Sequence, residues 1–180
     1  KALGGHESQS SLRELTGKAI IQSTANSITN TKVVIAASAG ATSVVTAILE
    51  EKVPAPPILI LIDPYITPKK PTIWLAYVLD RFIESIYRPP TTDFSKDSQF
   101  NTIPIEALIA LNNLTNKCVQ TCVANVSYPS GNKLNHVMIL CSKNDKTSHS
   151  CGSYYLAHML RPISKNLELK VFNSNKHVLT

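Results

Sequence analysis

Aromatic residues are scarce, at 6% of 180 residues with a single tryptophan, so the chain has few rings on which nucleic-acid bases could stack. No apolar run approaches the roughly 18 residues of a membrane span. No basic–apolar–small segment marks the start as a secretory signal. The expectation is a soluble cytoplasmic protein with no membrane span and no nucleic-acid partner. Cysteine is also limited to Cys118, Cys122, Cys141 and Cys151, too few and too dispersed for a disulfide scaffold at this length. Cys118 and Cys122 are four apart and share a face if their segment is helical. A metal site there would need more ligands, with His136 as the near candidate, so no metal is expected and the four read as buried or half-buried free thiols. The net charge of +6 contains no run of five like charges, so it reads as mild and mostly solvated, compatible with an acidic partner such as a phosphate-bearing carrier. Asn113-Leu114-Thr115 and Asn125-Val126-Ser127 are glycosylation triplets by letter and matter only in a secreted chain.

The remaining composition, 43% hydrophobic and 17% charged, is that of a globular protein, and the length suits one domain over 1–180 with a real core. The most informative stretch is Lys32 to Asp63. An apolar run, Val33-Val34-Ile35, leads into Ala36-Ala37-Ser38-Ala39-Gly40, and a helical segment follows from Ala41 to Leu49. A serine between small residues at a strand-to-helix elbow is exposed above an α/β sheet, and the small neighbours suit a tight, strained turn. Lys52-Val53-Pro54-Ala55-Pro56-Pro57 breaks regular structure before a second apolar strand, Ile58–Ile62, which ends in Asp63. Both strands are continuously apolar, which predicts burial on both faces in a parallel sheet. The two form a right-handed βαβ unit.

Around this unit the first eleven residues read as loop. Ser11 and Glu14 suggest a capping box ahead of a helix from Leu12 to about Ser27. Pro64, Pro68 and Pro71 mark a loop. Apolar recurrence predicts a helix over Ile73–Tyr87, ended by Pro89-Pro90. Residues 91–102 are polar and read as a mobile loop, and Ile105 to about Cys118 reads as another helix. The stretch of about 66–133 is therefore expected to be a helical insertion. The chain returns to the sheet at His136–Cys141, followed by Asp145. A short helix is expected over Ser153–Leu160, and Leu167–Phe172 alternates like an edge strand before the loop carrying His177. This order puts Ser38, Asp63, Asp145 and His177 just past strand C-termini, the edge of an open α/β sheet where ligands bind.

These residues resemble the thioesterase branch of the α/β-hydrolase fold, and most of all the thioesterase domain of animal-type fatty acid synthases. The likeness rests on Ser11-Leu12-Arg13-Glu14-Leu15, the elbow at Ser38, Leu61-Ile62-Asp63-Pro64-Tyr65, and Val171–Leu179 with its histidine. It departs at Ala36, where the family usually has glycine. The resemblance implies a partial α/β-hydrolase fold, a mostly parallel sheet with flanking helices and a helical lid. It also implies that earlier strands, the loop giving a second oxyanion amide, and a closing helix lie outside these 180 residues. The implied function is hydrolysis of a fatty acyl thioester held on the phosphopantetheine thiol of an acyl carrier, with no metal or organic cofactor.

Within that reading Ser38 is the nucleophile and His177 the general base and acid. Asp63, at the thioesterase-type position, is the preferred acid, and Asp145, at the commoner hydrolase position, is the alternative. The Ala39 N–H is an oxyanion donor at a helix N-terminus. Trp74, Tyr77, Val78 and Phe82 are candidates to line an acyl channel, although such spacing also describes ordinary core. Two other readings stay open. A hydrolase-fold remnant can serve as a docking or scaffold domain. A βαβ unit ending in an acid can hold a dinucleotide, but the turn has one glycine where that fingerprint wants three, and His177 would be left without a task.

Overall fold

The computed structural model describes residues 17–68, 72–87, 102–127 and 133–177. The expected terminal loop, the capping box at Ser11 and Glu14, and most of the polar stretch 91–102 lie outside these residues. The chain runs α1 (Gly17–Ile28), β1 (Val33–Ala37), α2 (Ser38–Leu49), β2 (Ile58–Ile62), α3 (Thr72–Leu79), β3 (Ser85–Tyr87), β4 (Thr102–Pro104), α4 (Ile105–Ser127), β5 (Leu134–Ser142), α5 (Ser150–Leu160) and β6 (Ser164–Phe172). A single 3₁₀ turn, Arg161–Ile163, joins α5 to β6.

Four strands form one sheet in the order β1-β2-β5-β6, and every pairing is parallel. Parallel neighbours cannot be joined by a tight hairpin, so the chain returns through helices: α2 between β1 and β2, α5 between β5 and β6. Side chains alternate across a strand, and here alternation decides burial. Val34, Ala36, Leu59, Leu61, Val137 and Ile139 face one side and join a single core with Ile21 and Ala25 of α1, Val44, Val45 and Ile48 of α2, Leu114 and Cys118 of α4, and Leu156 and Leu160 of α5. Helix α2 is buried from Ala41 to Leu49 because it lies against the sheet and also packs on α1 and α4. A hydroxyl–hydroxyl hydrogen bond between Thr24 and Ser43 ties α1 to it.

The expectation of burial on both faces is corrected. Among the described residues helices α1, α2, α4 and α5 contribute to one core, and the opposite face stays open, with Val33 48%, Ile35 65% and Ile58 41% exposed. Apolar runs record that a strand has no polar side; they do not say which described segment covers each face.

The helix expected over Ile73–Tyr87 is also corrected. It ends at Leu79, whose carbonyl accepts the amides of both Phe82 and Ile83. Ser85–Tyr87 then pairs antiparallel with Thr102–Pro104. The apolar residues Phe82 and Ile86 matched a helical period, but β-branched and aromatic residues before Pro89-Pro90 suit a strand equally well. Helix α4 is longer than expected. It is anchored to α3 by Tyr77, whose hydroxyl donates to Asn113 Oδ1 at 2.7 Å and accepts from Asn112 Nδ2 at 3.1 Å. Both glycosylation triplets sit in this helix: Thr115 is buried, and Asn125 Nδ2 donates to the Leu49 and Thr121 carbonyls. None of the described helices is long and apolar enough to cross a membrane.

Candidate active site

Ser38 stands where β1 becomes α2. Ala37 is still extended, at φ −122° and ψ 149°, and Ser38 has φ 52°. A non-glycine residue in the left-handed region is uncommon and strained, and such strain persists only where surroundings hold it. Here the loop after β2 holds it. The Tyr65 amide donates to the Ser38 carbonyl at 3.2 Å, and the Thr42 hydroxyl, one helical turn after Ser38, donates to the Tyr65 carbonyl at 2.8 Å. Ala39 follows in the first turn of α2, where backbone N–H groups have no partner inside the helix and the helix dipole is positive.

Three strand spacings separate β1 from β6, about 14 Å at the usual spacing. The loop after β6 crosses that distance. It is joined to the loop after β5 by the amides of Lys143 and Asn144, which donate to the carbonyls of Phe172 at 2.8 Å and Ser174 at 2.9 Å. The His177 imidazole thereby arrives between two partners: Nε2 lies 2.7 Å from Ser38 Oγ, and Nδ1 lies 2.6 Å from Asp145 Oδ2. The side chain of His177 is 19% exposed and that of Asp145 3%, so the chain of bonds opens to solvent at the serine end. The other Asp145 oxygen accepts the amides of Thr147 at 2.7 Å and Ser148 at 3.2 Å, which fixes the carboxylate plane. A hydroxyl bonded to an imidazole whose other nitrogen meets a buried carboxylate has what is needed to remove the serine proton and hold the resulting cation.

Of the two carboxylates considered from sequence, Asp145 meets His177. Asp63 is directed elsewhere: it accepts the Ser142 amide at 2.6 Å and the Ser142 hydroxyl at 3.2 Å. The order of preference between the two acids is thus reversed by geometry, because the side chain of the residue right after β2 turns toward β5. Asp63 is 2% exposed, so it does not present an open carboxylate to a ribose, as the dinucleotide reading requires. No role was read from sequence for Ser142, Thr42 or Tyr65, although Tyr65 ends the Leu61–Tyr65 match and Thr42 stands one turn after Ser38.

The proposed channel residues are exposed rather than enclosed where they are described. The Trp74 side chain lies outside the described residues. Tyr77, Val78 and Phe82 are 44%, 56% and 78% exposed, and Phe82 falls beyond the end of α3. Three cysteines are buried and Cys151 is exposed. Burial pushes the Cys141 thiol up, opposed by a hydrogen bond to Ser153 and reinforced by the charges of Asp63 and Asp145, so it stays a neutral thiol beneath the two carboxylates. The hydrogen bond to Cys118, together with burial, pushes Cys122 far up. His136 lies exposed on β5 beside Asn166, away from the buried Cys118 and Cys122 on α4, and no cluster of three potential metal ligands occurs among the described residues. An open groove of about 830 Å³ lies between α1, α4 and the C-terminal end of α2, lined by Lys18, Glu50, Lys52 and Lys117; Ser38 is at the other end of α2.

The sequence matches no protein-family model and no curated protein. Solved structures do resemble it. A monoacylglycerol lipase from Paleococcus ferrophilus superposes with a TM-score of 0.65 at 16% identity over 91% of this chain and 67% of its own. A metagenome-derived lipolytic enzyme superposes at 0.68 with 10% identity, over 97% of this chain and 71% of its own. A lipase-esterase related protein from Clostridium acetobutylicum reaches 0.52 at 18% identity, over 95% of this chain and 71% of its own. The parallel sheet, its flanking helices and these likenesses together identify the architecture as a partial α/β-hydrolase fold.

Proposed function

We propose that this chain is the catalytic part of a serine hydrolase that cleaves a carboxylic acyl ester. The observation that carries the reading is the bonded series Ser38–His177–Asp145 at one edge of the sheet. In the first step Ser38 Oγ attacks the ester carbonyl while His177 Nε2 takes its proton. Negative charge develops on the former carbonyl oxygen, and the Ala39 N–H at the start of α2 is a donor to it. Asp145 holds Nδ1–H and stabilises the imidazolium. The imidazolium then returns its proton to the departing alkoxide, leaving an acyl-serine. A water molecule, deprotonated by the same imidazole, releases the acid and restores Ser38.

Two observations favour an oxygen ester over the carrier-bound thioester that the family resemblance implies. The acid meeting His177 follows β5, the common hydrolase position, whereas the thioesterase-type position is that of Asp63. The similar structures include a monoacylglycerol lipase and a lipase-esterase related protein. A thioester on an acyl carrier remains the narrower alternative, since the leaving thiolate demands less of the general acid. The exposed apolar residues Tyr77, Val78 and Phe82 suit an acyl chain in either case.

The test is hydrolysis of p-nitrophenyl esters and of acyl-pantetheine thioesters of matched chain length by the full-length protein, with labelling by a fluorophosphonate. The expected result is ester cleavage and labelling, both lost in Ser38→Ala and His177→Ala. A folded wild-type protein that neither turns over nor labels would point to a docking domain instead. A kcat/KM favouring the thioester by more than about tenfold would restore the carrier-linked reading.

A further inference from the structure

Asp63 uses a buried charge for something other than the bond to His177. It is 2% exposed, at φ 43°, and stands just before Pro64. A residue before proline is normally driven toward extended backbone, so this conformation is imposed by the surroundings. Three of its hydrogen bonds lead to β5. The Asp63 amide donates to the Leu140 carbonyl at 2.8 Å, and its carboxylate accepts the Ser142 amide and hydroxyl. β2 ends at Ile62, which pairs with Leu140, so the Ser142 N–H lies past the last strand partner on that side. The Asp63 carboxylate stands in for the next carbonyl of the ladder.

Ser142 begins the turn that carries the acid: its carbonyl accepts the Asp145 amide at 3.4 Å. Two residues after Asp63, the Tyr65 amide holds the Ser38 carbonyl and the Tyr65 carbonyl receives Thr42. Two residues further, the Thr67 carbonyl accepts the His149 amide at 2.8 Å and the Ser148 hydroxyl at 3.3 Å. The segment 63–67 is thus bonded alternately to the acid loop, the serine elbow and the acid loop again.

We propose that Asp63 is a positioning residue that sets Asp145 in register with Ser38 and His177, through its carboxylate bonds to Ser142. The inference rests on the hydrolase reading above and gives Asp63 no contact with substrate. Its effect passes through Asp145, so removing it costs activity only while Asp145 is present.

The experiment measures p-nitrophenyl ester hydrolysis by the full-length protein and its Asp63→Gly, Asp63→Asn, Asp145→Asn and Asp63→Gly/Asp145→Asn variants, with thermal unfolding as the control of folding. Glycine removes the carboxylate while accepting the left-handed backbone, and asparagine keeps an acceptor for the Ser142 amide. The expected result for Asp63→Gly is a kcat about 10- to 100-fold lower with KM nearly unchanged, from misplacement of the acid. Asp63→Asn is expected within about threefold of wild type, and the double variant within about twofold of Asp145→Asn alone. Losses that multiply in the double variant, an Asp63→Gly enzyme with wild-type kcat, or an Asp63→Asn as impaired as Asp63→Gly would each overturn the inference. If Asp63→Gly does not fold, an Asp63→Ser variant, whose hydroxyl is one bond shorter than the carboxylate that meets the Ser142 amide, with wild-type kcat overturns it, and a several-fold fall in kcat alone supports it. Inert wild-type protein would sink the hydrolase reading and this inference with it; active wild-type protein indifferent to Asp63→Gly would sink this inference alone.

Discussion

The loops after β2 and β5 begin alike and end differently. Each carries a buried aspartate beyond a strand of the same parallel sheet, and each aspartate accepts backbone amides. Asp63 follows its strand directly, and its carboxylate turns sideways into the neighbouring β5. Asp145 stands three residues past Ser142, at the end of a turn, which frees one oxygen to face His177 while the other caps Thr147 and Ser148. Position relative to a strand is therefore not enough to assign an acid. The number of residues between strand end and carboxylate decides whether it closes the ladder or reaches across the sheet edge.

The sharpest way to break this comparison is to neutralise each acid in turn. Asp145→Asn is expected to lower kcat for ester hydrolysis by about 10⁴-fold, because the imidazole loses the partner that holds its tautomer and its cation. Asp63→Asn should stay close to wild type in the same assay. Equal losses in steady-state kinetics would mean the two loops are not distinct in role.

A smaller effect is expected where the loops touch through α5. Gly152 leaves no room for a side chain: a Cβ there would lie 2.9 Å from Thr67 Oγ1 and 3.0 Å from the Thr67 amide nitrogen. Gly152→Ala should push the 66–67 segment away from the acid loop, destabilise the fold by about 1–3 kcal/mol in urea denaturation, and reduce kcat more than KM. Unchanged stability would show that the segment yields freely and braces nothing.

The smallest effect concerns Cys141, which lies under both carboxylates. Burial and those charges hold its thiol above the ordinary range, so the reactive thiolate forms only at a pH higher than usual. Near pH 8 a thiol reagent should modify the exposed Cys151 quickly and leave Cys141 intact in the folded protein. Rapid modification of Cys141 would mean that the space between the two loops opens readily.

Much of this architecture was legible from short-range patterns. Apolar runs located β1, β2 and β5, alternation located β6, and small residues around Ser38 marked the elbow, since these signals depend on local chemistry. The arrival of Ser38, Asp63, Asp145 and His177 at one edge followed from their places after those strands. Helix α3 was overextended because Phe82 and Ile86 satisfy a helical period as readily as an exposed turn and a short strand. The open sheet face was missed because an apolar strand looks the same whether one or two layers cover it.

Residue order was thus sufficient for the parallel βαβ plan and for which side chains gather at its carboxyl edge, because strand and turn preferences act within a few residues. The partner of His177 was decided only in three dimensions. Ser38 and His177 are 139 residues apart, and Asp145 precedes His177 by 32. Their bonds depend on sheet register, on the reach of the loop after β6, and on the 63–67 segment that holds Ser38 at positive φ. No local preference encodes those three conditions; packing of the whole sheet does.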